Sequence, residues 1–520
     1  MRTAGPPDDA GHPPPGSPGE RRRFAELQER LAPLFRRVFH DRHAPQTVVV
    51  VPSMSLDAGE LAKLAAATHY EERLLCLLML LRQPRTHVVY VTSAPVDPAI
   101  VDYYLHLLPG VPPGHARRRL TLLACDDDGA TPLTAKLLAR PALLARIGAA
   151  VADPESAHLT CFNATALERT LAVRLGIPLY ACDPALAHLG TKSGSRELFR
   201  RAGVALPDGF ERLRDVHDVA GALVALRRAD PTLRRAVVKL DEGFSGEGNA
   251  TFAYDGAPGG AALAAWVRDE LPTRLRFEAA GETWERYLPK LAAMGGVAEC
   301  FLEGADARSP SVQCRVDPLR RASIISTHDQ LLGGPSGQVY WGCTFPAAGP
   351  YRADIQDAGL RVAALLADEG VLGRFAVDFV SVRRGDRWES AAIEVNLRKG
   401  GTTHPYLTLQ FLTDGAYDPD TGTYRSAAGR PCCYCASDNL GDPAYLGLTP
   451  DALLDIAVCH DLHFDAATQR GVTFHLLGAL PAYGKLGAVA VGESHAAAER
   501  YFRGTVDTLL RAAWRRRGGA

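Results

Sequence analysis

Short β-branched runs alternate with helix-length segments through the first third of the chain. "TVVVVPSMS" (residues 47–55), "HVVYVTSAPV" (residues 87–96) and "LTLLACDDD" (residues 120–128) come first, and "HLTCFNATALERTLAVRLGIPLYACDP" (residues 158–184) repeats the strand, helix, strand order. Strands spaced by helical patterns predict a parallel α/β sheet, here over residues 23–187, entered by a helical stretch near residues 23–39. From residue 190 the runs lengthen and glycine-rich turns appear, which predicts mixed α+β structure over residues 188–414. Residues 415–520 predict a helix at 449–458, a hairpin at 471–492 and a final amphipathic helix at 494–514.

The opening "MRTAGPPDDAGHPPPGSPGERRR" has prolines and charges where a signal peptide needs an apolar core, so residues 1–22 read as a disordered tail. "LLCLLML" (residues 74–80) is far shorter than the roughly 20 residues that span a bilayer, and reads as a buried helix. With 47% hydrophobic residues and 22% charged ones the 520-residue chain has ample core for several domains. A formal net charge of -1 gives no global field toward nucleic acid or an anionic membrane, so neither is expected as a partner.

The 11 cysteines lie mostly as singles in apolar segments, such as Cys76, Cys125, Cys161 and Cys182, which suits a reducing cytoplasm. Cys432, Cys433 and Cys435, with Cys459, His460 and His463 downstream, lack the C-x₂-C spacing of common zinc sites. Only seven of the 58 basic residues are lysine. Each lysine is therefore a candidate for a position where a compact ammonium serves and a guanidinium does not, and Lys192, Lys239 and Lys399 all fall in the segments singled out below.

"AIEVNLRKGGTTHP" (residues 392–405) puts Glu394 and Asn396 on one face of a strand, because alternate residues point the same way. Asp378, in the apolar run "RFAVDFV", joins them if residues 374–381 and 390–397 pair as a hairpin. Two carboxylates and an amide suit magnesium, which takes oxygen ligands and shares its shell with substrate phosphates. "AVVKLDEGFSGEGNATF" (residues 236–252) ends a strand at Lys239 and turns through G-x-x-G-x-G into a second strand, so backbone N–H groups and an ammonium converge on any phosphate there. It is neither a Walker loop nor the strand-to-helix dinucleotide fingerprint. "LGTKSGSRELFRRAGVALPDG" (residues 189–209) predicts a helix capped by Thr191, ended by Gly203, with Lys192 at its anion-favouring start. "VAECFLEGADARSPSVQCRV" (residues 297–316) carries Glu299 on a strand that ends at Glu303 and Gly304.

Lysine at a helix start, strand lysine with glycine loop, acidic hinge, then Asp followed by Glu-x-Asn: in this order the four segments resemble the ATP-grasp superfamily. "ISTHDQLLGGPSGQVYWGCTFPA" (residues 325–347), "EVNLRKGGTTHPYLTL" (residues 394–409) and "LLGALPAYGKLGAVAVGES" (residues 476–494) resemble more narrowly the pheganomycin-type peptide ligases. That resemblance implies a parallel α/β pre-ATP-grasp domain, an ATP-grasp fold and a small α+β C-terminal domain. It implies ATP and Mg²⁺, with Lys192 and Lys239 on the phosphates, and Gly243, Ser245, Gly246 and Gly248 as a lid. Glu299, Phe301 and Leu302 would lie along adenine, Glu303 or Asp306 would hold ribose, and Asp378, Glu394 and Asn396 would hold magnesium.

The implied reaction activates a carboxylate as an acyl phosphate, which an amine attacks. Arg398 is expected to stabilise the oxyanion, because a planar guanidinium holds two oxygens at once. Thr402, Thr403 and His404 are expected to orient the acceptor, and His328, Asp329 and Gln330, with the turn at residues 333–337, to shape the donor side. A small-molecule or peptide acid and an amine are the expected partners. The rivals are a phosphotransferase on the same scaffold, which needs no amine, and a protein that holds ATP without turnover.

Overall fold

The computed structural model describes residues 11–56, 58–243, 248–279, 281–304, 306–333 and 339–516. The first four predicted strands form a parallel sheet in the order Leu120–Ala124, Thr86–Thr92, Gln46–Val51, Ala157–Cys161. The run "VVVV" of the central strand is buried throughout, as expected where helices cover both faces. "LLCLLML" lies in a buried helix, Ala67–Arg82, wound more tightly than an α-helix. One boundary is corrected. The predicted tail ends earlier than residue 22, because a helix begins at Pro18, capped by Ser17. Glu20 in its first turn is buried, and its carboxylate accepts from Thr170 Oγ1 at 2.6 Å and from Arg169 Nε at 3.2 Å.

Two further sheets frame the middle of the chain. A five-stranded sheet runs Gly209–Leu213, Gly296–Cys300, Arg235–Leu240, Asn249–Ala253, Arg276–Phe277. A nine-stranded sheet is built on Gly373–Arg384, which pairs with Ala307–Arg308 and then Pro310–Val316 along one side and with Arg387–Asn396 on the other. It continues through Ala322–Gly333 and Val339–Phe345 into Cys433–Gly441, Lys485–Gly492 and Gly471–His475. The strands from Cys433 onward thus extend the same sheet, while Ala416–Asp418 and Thr423–Arg425 pair with each other in a separate two-stranded sheet. The predicted hairpin at 471–492 and the helices Pro450–Cys459 and His495–Arg516 are present.

One hydrophobic core runs through the first sheet's helical layer, the nine-stranded sheet and the C-terminal helix. The five-stranded sheet has its own core. Among the described residues no helix is long and apolar enough to cross a membrane.

Candidate active site

The hairpin anticipated from the alternation forms with Asp378 opposite Glu394 and Ala376 opposite Asn396. A bulge follows Asp378, and bulges re-aim the side chains beside them. Asn396 Nδ2 donates to Asp378 Oδ2 at 2.9 Å, and Lys192 Nζ donates to Glu394 Oε1 at 2.5 Å. Withdrawal from water, and then the facing Glu394 carboxylate, push the Asp378 carboxyl up to about 6. Two acids held this close and partly out of water carry a repulsion that a cation would relieve.

The helix Lys192–Arg201 positions most of the site. Thr191 Oγ1 accepts from Gly194 N at 3.0 Å, the expected cap, and Gly203 just beyond the helix has φ 62°. Residues three apart share a helix face. Lys192 and Ser195 face the hairpin, Ser195 Oγ accepting from Val395 N at 3.0 Å. Ser193 and Arg196 face the five-stranded sheet. Ser193 N and Oγ donate to the two oxygens of Asp241 at 2.7 and 3.0 Å, and Arg196 pairs with Glu299.

Lys239, the last residue but one of the strand Arg235–Leu240, lies beside Glu299, with Nζ 2.6 Å from Oε2. Burial pushes the Glu299 carboxyl up, but Lys239 and Arg196 outweigh it and hold the group below its ordinary range. Glu299 is therefore an enclosed anchor for Lys239 and not an open surface. Asn249, on the returning strand, pairs with Lys239. The neck of the loop between them is tight, since a Cβ on Gly243 would meet Gly248 Cα at 3.0 Å and one on Gly248 would meet Gly243 Cα at 2.9 Å. Ser245 and Gly246 lie outside the described residues, as do residues 334–337 of the predicted donor-side turn. Phe301 carries the Arg235 guanidinium 4.2 Å from its ring centre. Arg235 Nε also donates to Glu303 at 2.5 Å, and Asp306 pairs with Arg308 at 3.2 Å.

The turn after Asn396 differs from expectation. Arg398 sits in the field of Glu394 and Asp378, where burial lowers its pKa and the two acids oppose that shift. Thr402 Oγ1 accepts from Gln313 Nε2 at 2.7 Å, and Thr403 Oγ1 donates to Gln313 Oε1 at 2.9 Å. His404 is buried, with its Nε2 3.0 Å from His475 Nε2. Thr402, Thr403 and His404 brace the turn, because their polar atoms turn inward to distant strands. His328 is likewise enclosed, with Nε2 2.6 Å from Tyr434 OH and its ring beside Phe345. Asp329 accepts from Ala348 N at 2.8 Å and Tyr351 OH at 2.6 Å, which fixes the start of the helix Gly349–Asp368. Gln330 continues the strand, its N–H donating to Ser309 O at 3.0 Å.

Sequence profiles match two parts of the chain: one described as "IQCH-like, ATP-grasp" at residues 268–418 and one described as "PGM1 C-terminal domain" at residues 452–505. The L-propargylglycine–L-glutamate ligase of Streptantibioticus cattleyicolor is 34% identical over 477 residues, covering 89% of this chain and 94% of that protein. The chain belongs to the pheganomycin-type ATP-grasp ligases. Solved ATP-grasp structures share the fold of this ligase at low identity. The biotin carboxylase domain of Hydrogenobacter thermophilus 2-oxoglutarate carboxylase gives a TM-score of 0.53 at 12% identity, over 89% of this chain and 90% of that one. Biotin carboxylase of Campylobacter jejuni gives 0.52 at 12% identity, over 90% and 92%.

Sequence reasoning missed three residues that organise this region: Arg196 and Asp241, which set the helix between the sheets, and Gln313, which clamps the turn after Asn396. Asp241 directly follows its strand and was findable as a capping acid. Arg196 and Gln313 carry no local signal. Among the described residues no group of three His, Cys, Asp or Glu side chains is placed to hold a metal ion. The magnesium reading therefore rests on two carboxylates and an amide.

Proposed function

We propose that this ligase joins the carboxylate of one small molecule or peptide to the amine of another, driven by ATP and magnesium, in the cytoplasm. The carrying observation is that a single helix delivers Lys192 to Glu394 and Arg196 to Glu299, and so brings the acid pair of the hairpin toward Lys239 of the other sheet. The relative whose name specifies two amino acids, propargylglycine and glutamate, supports substrates of that size.

A carboxylate is a poor electrophile. Transfer of the γ-phosphoryl group to a carboxylate oxygen gives an acyl phosphate and ADP. The amine nitrogen then attacks the acyl carbon, the bond to the phosphate oxygen breaks, orthophosphate leaves and the amine gives up its proton. The transfer asks for alignment and charge neutralisation, with no protein nucleophile. Lys192 and Lys239 neutralise the nucleotide phosphates, Phe301 and Leu302 flank adenine, and Glu303 or Asp306 binds ribose. Asp378, Glu394 and Asn396 fit magnesium, which would neutralise phosphate charge when bound. Arg398, drawn partly out of water beside both acids, holds the oxyanion that forms at the acyl carbon. Gly243 and Gly248 close the neck of a loop that keeps water from the acyl phosphate.

The test is ADP release from the full chain with ATP, magnesium and a panel of amino acids, peptides and amines. Turnover that needs both an acid and an amine, and that falls at least about 100-fold in Glu394→Ala, is the expected result. A phosphorylated product formed without amine would overturn the ligase reading.

A further inference from the structure

A second polar cluster lies buried where the first sheet's helical layer meets the strands added after residue 415. Arg73, on the helix Ala67–Arg82, donates from Nη1 to Asp438 Oδ2 at 3.2 Å and from Nε to Tyr70 O at 3.4 Å. Its guanidinium lies 4.5 Å from the Tyr70 ring centre and 4.8 Å from that of Phe162. The remaining edge, Nη2, meets only a weak acceptor, Met54 Sδ at 3.4 Å. Asp438 is 3% exposed, and among the described residues its Oδ1 has no hydrogen-bond partner. The strand is bulged between Ser437 and Leu440, which aims Asp438.

The cluster borders the catalytic turn. Gly401 packs so closely on Tyr340 that a Cβ there would come within 2.6 Å of its ring, and Asp438 acts on Tyr340 electrostatically. His404, three residues past Gly401, bonds His475, and its buried Nδ1 has no partner among the described residues. Arg73 contributes to the field at Arg398, His404 and His475.

A buried ion pair adds little stability over apolar packing, and an unmet buried carboxylate oxygen costs stability. Fold stability thus gives no reason for this arrangement, and a zwitterion would complete it. An α-ammonium supplies N–H donors to Asp438 Oδ1, and an α-carboxylate takes the guanidinium edge now turned to a flexible thioether. We propose that Arg73 and Asp438 form the acceptor site of the ligase, Asp438 receiving the α-ammonium and Arg73 the α-carboxylate of an amino acid whose amine is to be acylated. This rests on the ligase reading above, and it makes a free α-carboxylate on the acceptor a condition of turnover.

The experiment uses the full chain with the proteinogenic amino acids and their primary amides as acceptors. Hydroxylamine, too small to need the site, traps activated donor as hydroxamate in parallel. Wild type is expected to use free amino acids at least about tenfold better in kcat/KM than their amides. Asp438→Asn and Arg73→Lys, with unchanged melting temperatures, are expected to raise the acceptor KM about tenfold or more and to leave hydroxamate formation within about twofold. Arg73→Lys also erases the preference against amides. Equal use of amides overturns the proposal. So does an unchanged acceptor KM, or hydroxamate formation lost in step with ligation. Failure of the ligase reading itself is distinct, since no acid would then yield hydroxamate. Calorimetric titration then decides: amino acid binding lost in Asp438→Asn supports the site, and equal binding of amino acids and amides overturns it.

Discussion

Glu299 illustrates how one enclosed side chain governs a charged neighbourhood. It is 1% exposed and meets Lys239 and Arg196 on its two oxygens. Removing its charge in Glu299→Gln leaves two cations without their counter-ion, a change that costs about 3 to 5 kcal/mol in buried settings. Urea denaturation measures that loss. The folded-state carboxyl lies below its ordinary 4.5, so its contribution is fully present above that pH and is lost as pH falls through the depressed value. The stability gap between wild type and variant is therefore expected to hold steady at neutral pH and to narrow in acid. A gap independent of pH down to the acid limit would contradict the pairing. At the same scale, Lys192, Glu394 and Asn396, singled out from local pattern, lie together around the hairpin. Thr402 and His328 were legible only as polar residues in a suggestive place, because nothing near them in sequence specifies Gln313 or Tyr434 as partners.

Among the elements, the helix Lys192–Arg201 matters most, since its two faces reach two sheets. Its start is fixed by the Thr191 cap and by the Asp241 contacts to Ser193. Thr191→Ala is expected to cost about 1 kcal/mol of stability and to raise the KM for ATP through a less fixed Lys192, while Thr191→Ser restores both. Thermal denaturation and ATP titration of turnover read the two effects separately. An unchanged KM in Thr191→Ala would remove the helix start from the account. The cap, the terminating glycine and the lysine position were all written locally, in "TKSGSRELFRRAG". The division of labour between Lys192 with Ser195 and Ser193 with Arg196 was not, because helical spacing says which residues share a face and not what that face meets.

For the whole molecule, the turn after Asn396 is tied to the first sheet through Lys399. Its Nζ donates to Cys161 O at 2.5 Å and lies 3.2 Å from Thr160 Oγ1, and its N–H donates to Phe162 O at 3.1 Å. Burial lowers the pKa of this ammonium, so its hydrogen bonds offset a real desolvation cost. Lys399→Ala is expected to destabilise the protein by about 1 to 3 kcal/mol and to lower kcat, with ATP affinity within about twofold of wild type. Calorimetric unfolding together with steady-state kinetics checks this, and an intact kcat would mean that the turn does not depend on the first sheet.

The sequence by itself determined what depends on near neighbours: the parallel α/β opening, the hairpin that sets Asp378 against Glu394, the capped helix of Lys192 and the order of motifs along the chain. Period, capping and turn chemistry act over a few residues, so they are written where they act. The tertiary structure decided which polar side chains face inward and with whom. Gln313 clamps threonines 89 and 90 residues away, and Arg73 meets an aspartate 365 residues on. Such pairs form only when separate sheets pack, because hydrogen bonds out of water select partners by distance in space, which no local pattern encodes.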